Sequence, residues 1–463
     1  MSPVTLLGLI AVLACVVAWS CLGRTAWWVP AFAFSFIGGH IDVGFKVFPH
    51  EIGMALSVLA CAALVVTRPQ RLAGRPRLDW SFYVLVAYML GHMAVSCDLA
   101  MAAGSSGTGT IVRAYANGIW ALVFAMLFWR YGDLRHFRIA LGLATVFCVV
   151  AVAQGFFSPD PNKGTAIGIF VAPAGVDLRT SALALTTLLV LWFYRCRRDL
   201  TKVAIVVAYV AAIYLVFLGG SRVAALSALI TPVLWAMVQR KSAGLLVAIV
   251  AAAGLFLGIN YSADLYNQLP DGVRRALSKF VVTRVVREHN DTADSDRWHS
   301  MLLGIGFTRW TTDAGTFTFG NKVDGWEEAD AHARSLDQLA DVSARLTYYE
   351  NAFSTLTATL GIVGLLLFIR VGYWLYRPFT GHLLRHGIRS EDDALAFVAL
   401  QGLVVYVALC WIVGSYPNTQ VIFGSLAAVS FYDHANEFEE TRFRPSVLGI
   451  GPSAPRVWPG ISE

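Results

Sequence analysis

The chain has 463 residues, of which 57% are hydrophobic and only 14% charged. Soluble domains carry about a quarter charged residues, so this composition excludes a soluble enzyme and implies an integral membrane protein with many spans. The net charge of +6 calls for no nucleic-acid partner, because the basic residues cluster in short loops between apolar segments, the positive-inside pattern.

A spanning helix needs roughly 20 mainly apolar residues. In chain order, candidate spans lie near 3–22, 26–42, 50–67, 80–97, 110–129, 137–157, 178–194, 202–219, 222–238, 244–260, 351–372, 393–414 and 419–433. The expected fold class is therefore an all-α polytopic membrane protein, with about 12–13 transmembrane helices and one large, mostly helical outer loop. The segment 26–42 contains Gly38, Gly39 and His40 and is the candidate for a re-entrant turn. The first apolar run, Thr5 to Cys21, has no basic stretch before it and is read as a retained span.

Five basic stretches lie between spans: Arg68 to Arg77, Arg130 to Arg138, Arg195 to Lys202, Gln239 to Ser242 and Arg370 to Arg389. With these spans all five fall on one side, which is then cytoplasmic. The opposite side receives the long hydrophilic insertion. The expected organisation is a first part of the helical bundle over 1–260, a periplasmic loop or cap over 261–350, a second part of the bundle over 351–433, and a cytoplasmic tail over 434–463. The seven cysteines sit mostly in apolar segments with no CxxC pair, so neither a disulfide framework nor a metal site is expected. No Walker A, GxGxxG, HExxH or GxSxG sequence occurs, and no cofactor is expected.

The residues that carry chemistry gather at the outer helix ends. The stretch from Arg345 to Phe368 starts polar and enters an apolar helix, with Glu350 and Asn351 at the boundary. A carboxylate there is costly unless paired, hydrated or used, and shielding raises its pKa toward the range of a general base. The plainer alternative is a cap for the free N–H groups of the helix. Gly361 and Gly364 further along read as helix-packing positions. Gly219, Gly220, Ser221 and Arg222 join two apolar spans by almost nothing, which holds Arg222 at the outer surface. Its planar fork suits phosphate oxygens, and snorkelling to lipid phosphate is the alternative. In the cap, Arg297 is a second candidate phosphate ligand, or a surface arginine paired with Asp294 or Asp296. Arg284 is a rival for that role, and Arg179 starts another span on the same side.

This layout resembles the superfamily of bacterial O-antigen ligases and Wzy-type polysaccharide polymerases. Leu218 to Leu229 is similar to the family's Ser-Arg-Gly outer turn, with Val223 where glycine is usual. Glu350 to Gly364 is similar to its His-Asn motif, with Asn351, Gly361 and Gly364 in register and Glu350 in the histidine's place. The resemblance covers roughly residues 202–372. It implies metal-independent, inverting transfer of glycan from an undecaprenyl-pyrophosphate-linked donor to an acceptor sugar hydroxyl, at the periplasmic face of the bacterial inner membrane. Arg222 and Arg297 then bind the pyrophosphate, Glu350 is the base, and Ser221, Asn351, Arg179 and Arg284 line the substrate chamber. The glutamate tilts the reading toward a surface-polysaccharide or exopolysaccharide polymerase. A ligase acting on lipid A core or protein, and a secondary transporter or flippase, are the alternatives. The partners implied are the lipid-linked oligosaccharide, a polysaccharide acceptor, the bilayer, and chain-length regulator or export proteins.

Overall fold

A computed structural model of the chain describes residues 26–35, 41–42, 46–47, 75–102, 108–157, 178–219, 222–321, 351–409 and 416–443, with the single positions Ile10, Leu13 and Val17. Its regular structure is almost entirely helical. A short helix α1 (Val29–Ser35) precedes a two-residue antiparallel ladder, β1 (Ile41–Asp42) with β2 (Lys46–Val47). Of the expected span 26–42, residues 36–40 lie outside the described residues, and the described part holds this short helix and the first strand. Seven residues of helix reach about 10 Å, a third of a bilayer core.

Seven long helices follow among the described residues: α2 (Trp80–Ala102), α3 (Thr108–Tyr131), α4 (Phe137–Phe157), α5 (Leu178–Arg195), α6 (Asp199–Leu218), α7 (Arg222–Val238) and α8 (Ser242–Tyr261). After the insertion come α13 (Ala352–His386), α14 (Glu391–Ala408) and α15 (Asn418–Phe443), with α9 to α12 in the insertion itself. Among the described residues four stretches are long and apolar enough to cross a membrane: Trp80–Asp98, Leu134–Ala153, Asp199–Leu218 and Ala352–His386. Ser181–Arg195, Arg222–Val238 and Ile249–Tyr261 are apolar but shorter. The expected spans 80–97, 137–157 and 202–219 are thus met by full-length apolar helices, and 351–372 falls on α13, which is interrupted at Gly361. α7 stops after 17 residues, and the expected spans 3–22, apart from Ile10, Leu13 and Val17, and 50–67 lie outside the described residues. α15 also runs past 433 into the acidic stretch Glu437 to Glu440 and ends at Phe443.

One aromatic-rich core joins α1 through α5 to α13, α14 and α15. Trp28, just before α1, and Phe32 of α1 are fully buried, with Trp28 edge-on to Phe128 at 5.3 Å and Phe32 against Phe137 at 5.4 Å and Phe423 at 5.7 Å. Each such ring contributes roughly 1.5–3 kcal/mol by leaving water. This is why a seven-residue helix holds its place.

The basic stretches meet at one end of the bundle, as their shared side requires. Arg195 pairs with Glu391. Gln239 donates to the Ile388 carbonyl at 2.9 Å, and Arg240 to the Leu384 carbonyl at 3.2 Å. Arg75 is buried at the same end. It donates to the carbonyls of Phe128, Trp129 and Gly132 and pairs with Asp433 of α15 at 2.6 Å. A cation there satisfies the orphan carbonyls and dipole at the C-terminus of α3.

The opposite end carries the insertion, whose described part, 262–321, is helical as expected: α9 (Ala263–Asn267), α10 (Asp271–Leu277), α11 (Arg287–Trp310) and α12 (Ala314–Phe319). The apolar run from Val273 to Val286 is not one helix. α10 stops at Leu277, a 3₁₀ turn covers Ser278–Phe280, and Val281 is extended. The cause is Asn260, buried at the end of α8. Its amide donates to the Phe280 carbonyl at 2.7 Å and its oxygen accepts from Val282 N–H at 2.7 Å, which pins the strand-like segment. Gly272 lets α10 press on the end of α6, since a Cβ there would lie 2.7 Å from the Leu218 carbonyl carbon.

α13 is broken. Gly361 has φ +63° and ψ −169°, a conformation open to glycine and strained for other residues. The expected packing role of Gly361 is thereby corrected: it divides a half-helix, 352–360, from the continuation, 362–386. Gly320, at φ +81°, ends α12 directly against the break. A Cβ on Gly361 would come within 2.6 Å of the Gly320 nitrogen, and a Cβ on Gly320 within 2.6 Å of the Gly361 nitrogen. Asn321 N–H donates to the Ala358 carbonyl at 2.6 Å. The Tyr88 hydroxyl of α2 lies 2.9 Å from both the Phe319 and Leu360 carbonyls. The end of α12 and the break in α13 thus meet backbone to backbone, and a side chain of α2 joins them.

Candidate functional site

At the end of the bundle that carries the insertion, α5, α6 and α7 come together. Ala182, Val216, Ala224 and Ala228 form one small buried cluster there, so small side chains bring the three helices close. Arg222 opens α7 beside this cluster. Its side chain is about one-fifth exposed, and its Nη2 lies 3.0 Å from Asp296 Oδ1 of α11. The other oxygen of Asp296 pairs with Lys279 of the 3₁₀ turn. One carboxylate therefore bridges two cations contributed by different elements. Burial acts to raise the Asp296 pKa, but the hydrogen bonds and charges of Lys279 and Arg222 outweigh it and hold the carboxyl below its ordinary value. Asp296 is ionised at neutral pH.

α11 continues from Asp296 onto the half-helix. Trp298, Met301 and Ile305 surround the buried pair of Leu302 and Ala358. Trp310 meets Phe353 edge-on at 5.6 Å and stacks on Phe317 of α12 at 4.9 Å. One helix of the insertion thus ties Arg222 to the start of α13. These two motifs stand some 130 residues apart in the chain, and the fold joins them.

The half-helix is buried and polar along its length. Asn351 is its N-cap: Oδ1 accepts from Ser354 N–H at 2.8 Å. The capping position thus belongs to Asn351. Asn351, Ser354 and Thr359 are each about 1% exposed. Among the described residues, the Nδ2 of Asn351, the Oγ of Ser354 and the Oγ1 of Thr359 have no hydrogen-bond partner. A buried polar atom left unmatched costs roughly 1–3 kcal/mol. Three on one half-helix form a strip of unmet hydrogen-bonding capacity.

The other expected site residues are dispersed. Arg297 is exposed on α11, one residue beyond Asp296. Arg179 falls in the first turn of α5, at the Arg222 end of the bundle. Arg284 is engaged elsewhere: its guanidinium donates to the carbonyls of Ile259 at 2.8 Å and Asn260 at 3.3 Å and covers the Tyr266 ring at 5.4 Å. It closes the C-terminus of α8. Glu350 and Ser221 lie outside the described residues. Sequence reasoning misses Lys279 and places Asp296 beside Arg297 only. The signal available is the proximity of Asp296 to Arg297, and the partner that the fold selects for it is Arg222.

No protein-family model matches the chain, and no curated relative matches it. The family resemblance rests on its sequence motifs alone.

Proposed function

We propose that the protein is a membrane glycosyltransferase of the polysaccharide-polymerase type, acting on a lipid-pyrophosphate-linked glycan at the outer face of a bacterial inner membrane. The observation that carries this reading is the coupling by α11 of Arg222, a phosphate-matching cation, to a half-helix with three unmatched buried polar atoms. A cationic end suits a pyrophosphate, and unmatched donors and hydroxyls suit a sugar.

In this mechanism the acceptor hydroxyl oxygen attacks the anomeric carbon of the donor on the face opposite the pyrophosphate. The new C–O bond forms as the bond to the pyrophosphate oxygen breaks, with inversion. The acceptor proton passes to the Glu350 carboxylate. Arg222, with Arg297 beside Asp296, neutralises the charge that grows on the leaving lipid pyrophosphate. Asn351 and Ser354 orient the acceptor hydroxyls. Arg284 has no part in this scheme, since its donors cap α8.

The test is polymer length in a deletion strain complemented with wild type, Arg222→Ala or Glu350→Gln, at matched membrane levels. Accumulation of a single repeat unit on its lipid carrier in both variants supports the polymerase. Full-length polymer with Arg222→Ala sinks it, and long polymer stranded on the carrier points to the ligase. The break at Gly361 favours a second reading, because secondary transporters place substrate at discontinuous helices. Ion-coupled uptake of glycan by the purified protein in liposomes decides for that alternative.

A further inference from the structure

We infer that Asp296 is a built-in competitor for an anionic ligand: it occupies a two-cation clamp, Arg222 and Lys279, that takes a diphosphate when Asp296 leaves. The inference rests on the reading of this face as a donor-binding chamber. It adds a ligand residue, Lys279, and a gating role for α11.

The geometry is specific. The two carboxylate oxygens of Asp296 are divided between the cations, Oδ1 to Arg222 at 3.0 Å and Oδ2 to Lys279. The cations are therefore held one carboxylate apart, a spacing at which one phosphate group, or the two of a diphosphate, also reaches both. They come from separate elements, the start of α7 and the 3₁₀ turn after α10, so their convergence follows from no local hydrogen bonding. The pair is also easily exchanged. Asp296 is 40% exposed and Lys279 51% exposed, and ion pairs so exposed contribute little. A ligand carrying more charge than one carboxylate then displaces it. Displacement loosens the turn of α11 around Asp296, between a first turn held by Glu288 on Arg274 at 2.9 Å and His289 against the Ser278 carbonyl at 2.8 Å and a C-terminal half packed on Ala358 and Phe353. Entry of the donor thereby opens the clamp, and a vacant site closes on its own aspartate.

The experiment is isothermal titration of inorganic pyrophosphate into the full-length detergent-solubilised protein at fixed ionic strength. Asp296→Asn keeps the shape and removes the competing charge, so affinity rises about two- to tenfold. Lys279→Ala leaves the Arg222–Asp296 pair in place and lowers affinity by a similar factor. Asp264→Asn, an exposed acid on α9, makes the same change in net charge and leaves affinity within about twofold. Unchanged or weaker binding by folded Asp296→Asn overturns the inference, as does equal tightening by Asp264→Asn. If Asp296→Asn does not fold, unchanged binding by Lys279→Ala overturns it. Hydrogen exchange over 293–300 is expected to quicken when pyrophosphate is added, and protection there refutes the loosening of α11.

A short-chain prenyl diphosphate and a short-chain phosphatidylglycerol separate the two sources of phosphate. Stronger displacement by the diphosphate supports a donor clamp, and equal or stronger displacement by phosphatidylglycerol overturns that assignment. These are binding measurements. Unchanged glycan in the deletion strain, with pyrophosphate binding by the wild-type protein intact, refutes the transferase reading and leaves the clamp standing.

Discussion

Gly361→Ala tests the broken helix directly. The residue sits at φ +63° and ψ −169°, where an alanine is strained by roughly 1–3 kcal/mol. The added methyl also meets backbone: Gly320 N at 2.6 Å and the Thr318 carbonyl nearer still. Backbone cannot rotate aside as a side-chain tip does. The segments must part, and the Asn321 to Ala358 bond and the Tyr88 contacts go with them. Hydrogen bonds of this kind contribute about 0.5–1.5 kcal/mol each. The expected total is a loss of about 2–5 kcal/mol. Gly372 provides the internal control. It lies in the same helix with nothing within 4 Å of where an alanine methyl would sit, so Gly372→Ala is neutral or stabilises by up to about 1 kcal/mol. The assay is unfolding of the micellar protein by graded sodium dodecyl sulfate, with limited proteolysis near residues 312–321 as a local probe. Gly320→Ala meets the opposite side of the same contact, the Thr359 carbonyl and Gly361 N, so the double variant is expected to lose less than the sum of the singles. The reasoning is refuted if Gly361→Ala stays within about 0.5 kcal/mol of wild type, or if Gly372→Ala costs as much.

Tyr88→Phe removes one hydroxyl shared between the Phe319 and Leu360 carbonyls, and a loss of about 1–2 kcal/mol with faster cleavage near 319 is expected. Arg284→Met is expected to cost about 1–3 kcal/mol in the same unfolding assay and to leave pyrophosphate affinity unchanged; the reverse pattern would restore Arg284 to the binding site. The Asp296 contact depends on pH with a definite sign. Its carboxyl pKa is lowered from 3.8 in the folded protein, so its contribution is present above that value and is lost as pH falls through the folded one. Hydrogen exchange over 293–300 should stay level from about pH 8 to 5, allowing for intrinsic rates, and quicken below about pH 4. Asp296→Asn should abolish that step.

Much of the helical plan is legible in the sequence because its signals are local. Apolar runs near 80–97, 137–157 and 202–219 are long enough to show their helices by length alone. The basic stretches show their common side, and Arg195 with Glu391 and Gln239 with Ile388 bear out that they meet. The break at Gly361 is not legible. A glycine within an apolar run has the same sequence signature whether it packs against a neighbour or ends a helix, and only the approach of Gly320 separates the two. The segment 26–35 is opaque for a related reason: its hydropathy is that of a span, but its aromatic residues are used by the core as a short plug.

Arg222 and Asn351 are readable as helix-end residues, since turn brevity and charge at an apolar boundary are properties of neighbouring residues. Their connection is not readable, because it runs through Asp296, Trp298 and Trp310 of a helix whose direction depends on tertiary packing. Sequence alone determined that the chain is helical, apolar, and cationic in its short loops, because hydropathy and charge act within a few residues. Tertiary structure decided which cation faces which carboxylate and where α13 breaks, because ion pairs and backbone clashes depend on segments that only folding brings within a few ångströms.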